Sequence, residues 1–128
     1  MTYVDTSIAL AELFAEDRRA PAAFWAEPLV SSRLLEYEVW TRVHARGAFR
    51  SHAEAAREVL SRVSLVELAP PVLSRALEPF PHPVRTLDAL HRSTARFLRD
   101  RSQDVSVAAF DERLRRAAAA LGLSLAGV

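Results

Sequence analysis

Several acidic residues stand where metal-ion chemistry is possible. Asp5 closes the apolar run TYV, and Asp111 directly follows the apolar run VSVAAF. Asp88 lies near the start of RTLDALHRSTARFL, while Glu36 and Glu38 stand two apart in RLLEYEVWTRV. Carboxylates gathered in one place repel one another unless they are protonated or bound to a cation. Hard oxygen donors of this kind select Mg²⁺ or Mn²⁺. Each acid also has a plainer role, because an Asp after a strand caps the next helix and an Asp in a first helical turn suits the helix dipole.

The elements decide whether such acids can meet. Residues 2–5 read as a strand, 7–16 as a helix and about 20–26 as a second short helix. A strand at 29–32 precedes a helix over 33–47 that stops at Gly47. Ser51 is the expected cap of a helix over 52–63, followed by a strand at 64–69 and a helix begun by Pro70 and Pro71. PHPV at 81–84 reads as a loop. Thr86 is the expected N-cap of the helix 86–99, the strand 105–110 leads into a helix over 111–123, and SLAGV ends the chain as a short strand.

Short strands, apolar on both sides and alternating with helices, predict an α/β fold: a short parallel sheet with helices on both faces. Ligands in such sheets bind at the carboxyl ends of the strands. Asp5 and Asp111 belong to that edge, and the loop before Asp88 can return to it. A further acid is expected from the helix at 33–46. Helical phase puts Glu36 between Val39 and Val43, on the buried side, and Glu38 beside Leu34, Arg42 and Ala45; phase alone does not choose between them.

A chain of 128 residues is expected to form one domain, 1–128. Without cysteine it has no disulfide frame, thiolate zinc site or cysteine nucleophile. No apolar run reaches the ~18 residues that span a bilayer, and the N-terminus lacks a basic region, so neither membrane nor export is expected and a cytoplasmic place is. The net charge is +1, yet all 17 basic residues are arginine. Any mechanism that needs lysine is excluded.

YVDTSIAL, SSRLLEYEVWTRV, RTLDALHRSTA and FDERLRRAAAALGL, in this order and spacing, resemble the PIN-domain ribonucleases, and among them the VapC-type toxins of bacterial toxin–antitoxin pairs. The resemblance covers essentially the whole chain. It implies a PIN-like three-layer sandwich and a set of four acids: Asp5 with Thr6 and Ser7 after it, Glu38 before Val39, Asp88 before Ala89, Leu90 and His91, and Asp111. On this ground Glu38 is preferred to Glu36. One departure is Ala109, where the family often carries Thr or Ser two residues before the fourth acid; Ser106 is too far along the strand to replace it.

The implied activity is metal-dependent hydrolysis of RNA phosphodiester bonds with Mg²⁺ or Mn²⁺, Asp5 and Asp88 as primary ligands, and Glu38 and Asp111 completing the site. The resemblance also implies a homodimer and a cognate antitoxin lying near helices 7–16 and 33–46, its arginine blocking the acids. Ser7 is expected either to bond a carboxylate or to cap its helix. His91 is expected to be structural, in an apolar stripe with Leu87 and Leu98. Arg92, Arg96 and Arg99 share one outer helix face and are candidates to guide RNA phosphate; Arg113, Arg115 and Arg116 are similar. Trp25, Phe14 and Trp40 read as core or partner-facing. A receiver domain would need a lysine, and a haloacid-dehalogenase-type phosphatase would need an acid at position 7. The alternative kept is a PIN fold that binds RNA or protein without cleaving.

Overall fold

Neighbouring residues of each inner strand point into two different cores. Tyr3, Val30 and Val107 face one, while Val4, Leu29 and Ala108 face the other, as the two-residue period of a strand requires. The computed structural model describes residues 1–80, 85–101 and 104–128; the loop expected at 81–84 lies outside the described residues. Its elements are β1 (Thr2–Val4), α1 (Thr6–Leu13), a 3-10 helix (Ala22–Ala26), β2 (Leu29–Ser32), α2 (Leu34–Ala45), α3 (Phe49–Ser61), β3 (Ser64–Val66), α4 (Pro70–Ala76), α5 (Thr86–Asp100), β4 (Ser106–Ala108), α6 (Glu112–Ala120) and β5 (Ser124–Leu125).

The five strands form one parallel sheet in the order β3-β2-β1-β4-β5. β1 is central, so the segment that ends at Asp5 has neighbours from both halves of the chain. On one face Val4, Ile8, Leu35, Val39, Val43, Ala56 and Leu60 join α1, α2 and α3 to the sheet. On the other, Tyr3, Val30, Ala95, Val107, Leu114 and Ala118 join it to α5 and α6. Each fully buried Val, Leu or Ile contributes roughly 1.5–3 kcal/mol relative to exposure, so both faces are needed to hold the sheet. No helix among the described residues is long and apolar enough to cross a membrane.

The structure corrects several expectations. Helix α1 ends at Leu13, where Phe14 caps it and Ala15 takes a positive φ of 49°. The segment at 20–26 is a 3-10 helix following Pro21, and β3, α4 and β4 are shorter than expected. Ser51 does not cap α3. That helix starts at Phe49, and the Ser51 hydroxyl donates back to the Ala48 carbonyl instead. Thr86 is not a cap either: Arg85 is the extended N-cap residue, without a side-chain cap bond, so Thr86 is already helical. Asp88 is thus the third residue of α5, in its first turn, where its charge meets unpaired N–H groups.

Helix α5 lacks the solvated outer face expected of it. Residues 91–95 are all buried, because the sheet covers one side and α4 the other. Ser93 donates to the Val72 carbonyl of α4, and Thr94 to Leu90 on its own helix at 2.8 Å. Arg92 is buried. Arg96 and Arg99 turn to the C-terminal end of α6, where their Nη1 atoms donate to the Leu121 carbonyl at 3.3 and 2.8 Å. Two guanidinium groups at a helix C-terminus satisfy carbonyls left over there and suit the dipole.

Candidate active site

Asp5 is the N-cap of α1 and sits at the carboxyl end of the central strand. Its Oδ2 accepts the Ser7 N–H at 3.0 Å and the Ser7 hydroxyl at 2.6 Å. Cap and site positions coincide here, because the chain leaving a parallel strand must start a helix and the cap acid then lies on the ligand edge. Ser7 does more than serve Asp5: its hydroxyl also accepts the Phe110 N–H at 3.1 Å, fixing the loop that leads to Asp111. Only 8% of Asp5 is exposed. Burial pushes its carboxyl above the usual carboxylate range, the Ser7 bonds and the nearby His91 oppose that, and the Glu38 charge adds to it.

Glu38 comes from α2 and is largely covered. Its Oε1 accepts the Thr6 hydroxyl at 2.8 Å and also meets His91 Nε2. Glu36, by contrast, lies at the surface and pairs with Arg33 at 3.3 Å, its side chain 44% exposed. The buried phase expected for Glu36 fails because Arg33 and Glu67 extend the polar surface around it.

Asp111 is the N-cap of α6, with Oδ1 accepting the N–H groups of Arg113 at 2.8 Å and Leu114 at 3.4 Å. Asp88 and Asp111 both act on the buried Arg92, whose pKa is lowered by burial, raised by Asp88, lowered by Arg113 and raised by Asp111. The Arg92 Nε is buried with no hydrogen-bond partner among the described residues. Ala109 is wholly buried with Tyr3, Val107 and Leu114 in the second core, and its carbonyl accepts Arg115 Nη1 at 3.1 Å. Arg113 and Arg116 are exposed beside Asp111.

His91 is the residue whose part was missed. It is 3% exposed, as a structural histidine should be, but both ring nitrogens face polar groups. Nδ1 lies 2.7 Å from the Tyr3 hydroxyl and Nε2 meets Glu38. Leu87, expected beside it in an apolar stripe, is 44% exposed. The available signal was its position three residues after Asp88, which places it one turn on along the same helix.

Glu38 and His91 are thus the charged neighbours that act on Asp5, while Asp88 and Asp111 both act on Arg92. No three His, Asp or Glu side chains among the described residues are gathered closely enough to hold an ion as they stand. Each of Asp5, Glu38 and Asp111 turns to a protein donor, as anions without a counter-ion do. The donor set still fits a hard divalent cation in kind. It is all carboxylate, Asp5 carries a charge that burial disfavours, and Asp5 Oδ1 and Glu38 Oε2 take no hydrogen bond from any described residue.

The sequence matches the family model for the PIN domain over residues 2–120. It is also 34% identical over 99 residues to Ribonuclease VapC46 of Mycobacterium tuberculosis (strain ATCC 25618 / H37Rv), an overlap covering 77% of this chain and 72% of that protein.

Proposed function

The chain belongs to the PIN-domain family, and from that premise we propose that it is a divalent-metal-dependent endoribonuclease, the toxin of a toxin–antitoxin pair neutralised by a cognate antitoxin. The observation that carries this reading is Asp5: a buried carboxylate with a raised pKa, at the carboxyl end of the central strand, with Glu38 beside it. The similarity to a protein named a ribonuclease supports RNA as the substrate.

In this reading Asp5 and Asp88 are the primary ligands of Mg²⁺ or Mn²⁺, and Glu38 and Asp111 complete or position the site. Held by these carboxylates, a divalent ion would supply a water of lowered pKa and positive charge to offset the negative charge on the phosphate under attack. Ser7 holds Asp5 and the loop to Asp111 in one frame, while Thr6 holds Glu38. Arg113 and Arg116, exposed next to Asp111, are the guanidinium groups that would meet RNA phosphate. Arg96 and Arg99 are withdrawn from that role by their bonds to Leu121. The whole of residues 1–128 acts as one domain in the cytoplasm, as a homodimer.

The second reading, a fold that binds RNA or protein without cleaving it, is favoured by the finding that no three His, Asp or Glu side chains among the described residues are gathered closely enough to hold an ion. Cleavage of a structured RNA by antitoxin-free protein, with Mg²⁺ or Mn²⁺, with EDTA, and with Asp88→Asn in parallel, decides between them. Metal-dependent cutting lost in Asp88→Asn supports the nuclease. No cutting of any RNA by folded, metal-supplied protein leaves the binding module, and cutting that survives Asp88→Asn places the chemistry elsewhere.

A further inference from the structure

We propose that His91 is a positioning residue for Glu38, itself held by Tyr3, and that this relay aims one oxygen of Glu38 at the cation; the inference rests on the metal-nuclease reading. Three elements supply it: Tyr3 from β1, His91 from α5 and Glu38 from α2. Tyr3 is 2% exposed, and its strand direction sends the ring to the α5 side of the sheet. The two rings meet edge-on, with centroids 5.9 Å apart and planes at 81°.

The proton positions follow from the partners. Nε2 faces a carboxylate oxygen, which can only accept, so Nε2 carries a proton. The Tyr3 hydroxyl then donates to Nδ1 at 2.7 Å, and burial favours its protonated form by raising the phenol pKa. All three groups are satisfied in this order.

The consequence falls on Glu38. Its Oε1 takes both the His91 N–H and the Thr6 hydroxyl, while Oε2 takes no donor from any described residue. Two donors on one oxygen fix the rotation of the carboxylate and leave the other oxygen free for a cation. Groups that orient a metal ligand in this way typically change metal affinity about 10–100-fold when removed. A histidine that merely filled core space would need neither a buried phenol on one nitrogen nor an acid on the other.

The test is Mn²⁺ affinity, by calorimetry or electron paramagnetic resonance, of the full chain and of His91→Leu, His91→Gln and Tyr3→Phe, each checked for folding by near-ultraviolet circular dichroism. His91→Leu should bind Mn²⁺ about 10–100-fold more weakly, and His91→Gln, which keeps an N–H near Nε2, should recover most of that loss. Tyr3→Phe should weaken binding less, and ¹⁵N spectra should show the single Nε2–H tautomer of the wild type replaced by a mixture. Folded His91→Leu with wild-type affinity overturns the inference. If that variant does not fold, unchanged Mn²⁺ affinity and tautomer in Tyr3→Phe overturn it. Wild-type protein that binds no Mn²⁺ overturns the metal reading beneath it, a result distinct from variants that bind as the wild type does.

Discussion

The hydroxyl of Ser7 accepts the backbone N–H of Phe110 at 3.1 Å, across 103 positions of sequence. The same oxygen donates to Asp5. One small side chain therefore couples the acid after β1 to the loop that delivers Asp111 after β4.

Replacing Ser7 with Ala strands the Phe110 N–H and removes a bond from a buried carboxylate. The expected loss is about 1–3 kcal/mol of stability, measured by urea unfolding. RNA cleavage should fall as well, since Asp5 loses its orientation. Unfolding midpoints equal to wild type, together with equal cleavage, would show that the bridge does neither job.

Asp5 makes metal-free stability depend on pH. Its folded pKa lies above the unfolded value of 3.8, so its contribution is full below that value and is lost as pH rises through the folded pKa. Asp5→Asn keeps a good N-cap and removes the disfavoured charge. Near pH 7 the metal-free variant should melt higher than wild type, with the gap closing toward pH 4, while cleavage is abolished. A variant that melts lower at neutral pH would mean that the burial of this charge has been misjudged.

Glu38 and Glu36 should separate cleanly. Glu38→Gln is expected to reduce cleavage about 100-fold or more, the upper end of what loss of a metal-site partner brings. Glu36→Gln touches a half-exposed ion pair with Arg33, an interaction of roughly 0–1 kcal/mol, and should leave both cleavage and stability close to wild type. Equal losses from the two variants would sink the assignment of Glu38. Side-by-side single-turnover assays suffice.

Gly122 has φ +76°, and a Cβ there would come 2.9 Å from Arg99 Nη1. Gly122→Ala should therefore cost about 1 kcal/mol or more through backbone strain. It should also disturb the bond from Arg99 to the Leu121 carbonyl. Because the acids lie at the opposite edge of the sheet, thermal melting should register the change and Mn²⁺ affinity should not.

Much of this fold is legible in the sequence, for local reasons. Residues 29–32 form a strand with the expected bounds: Leu29 and Val30 face opposite cores, and a run apolar on both sides suits nothing but a covered sheet. Asp5 and Asp111 are locatable because a strand end and a helix cap are both local features. Helix α5 is where such reading stops. Arg92 reads as part of an outer face with Arg96 and Arg99, yet it is buried, as are the polar Ser93 and Thr94 beside it, by α4 and the sheet. The partners of His91, Ser93 and the neighbouring Arg96 and Arg99 lie far away in sequence, at Tyr3, Glu38, Val72 and Leu121. Helical periodicity reports one-sided burial and fails where a helix is covered on two sides. Cap propensity misplaced Thr86 and Ser51 for a related reason, because packing started those helices earlier than the hydroxyls did.

The strand order has a consequence for synthesis. β1 is made long before β4, yet they are direct neighbours in the sheet. A growing chain that already carries Asp5, Glu38 and Asp88 still lacks one side of its central strand, the Phe110 N–H that Ser7 receives, and Asp111. The four acids of the proposed site can thus be brought together only after the chain has been made through Asp111.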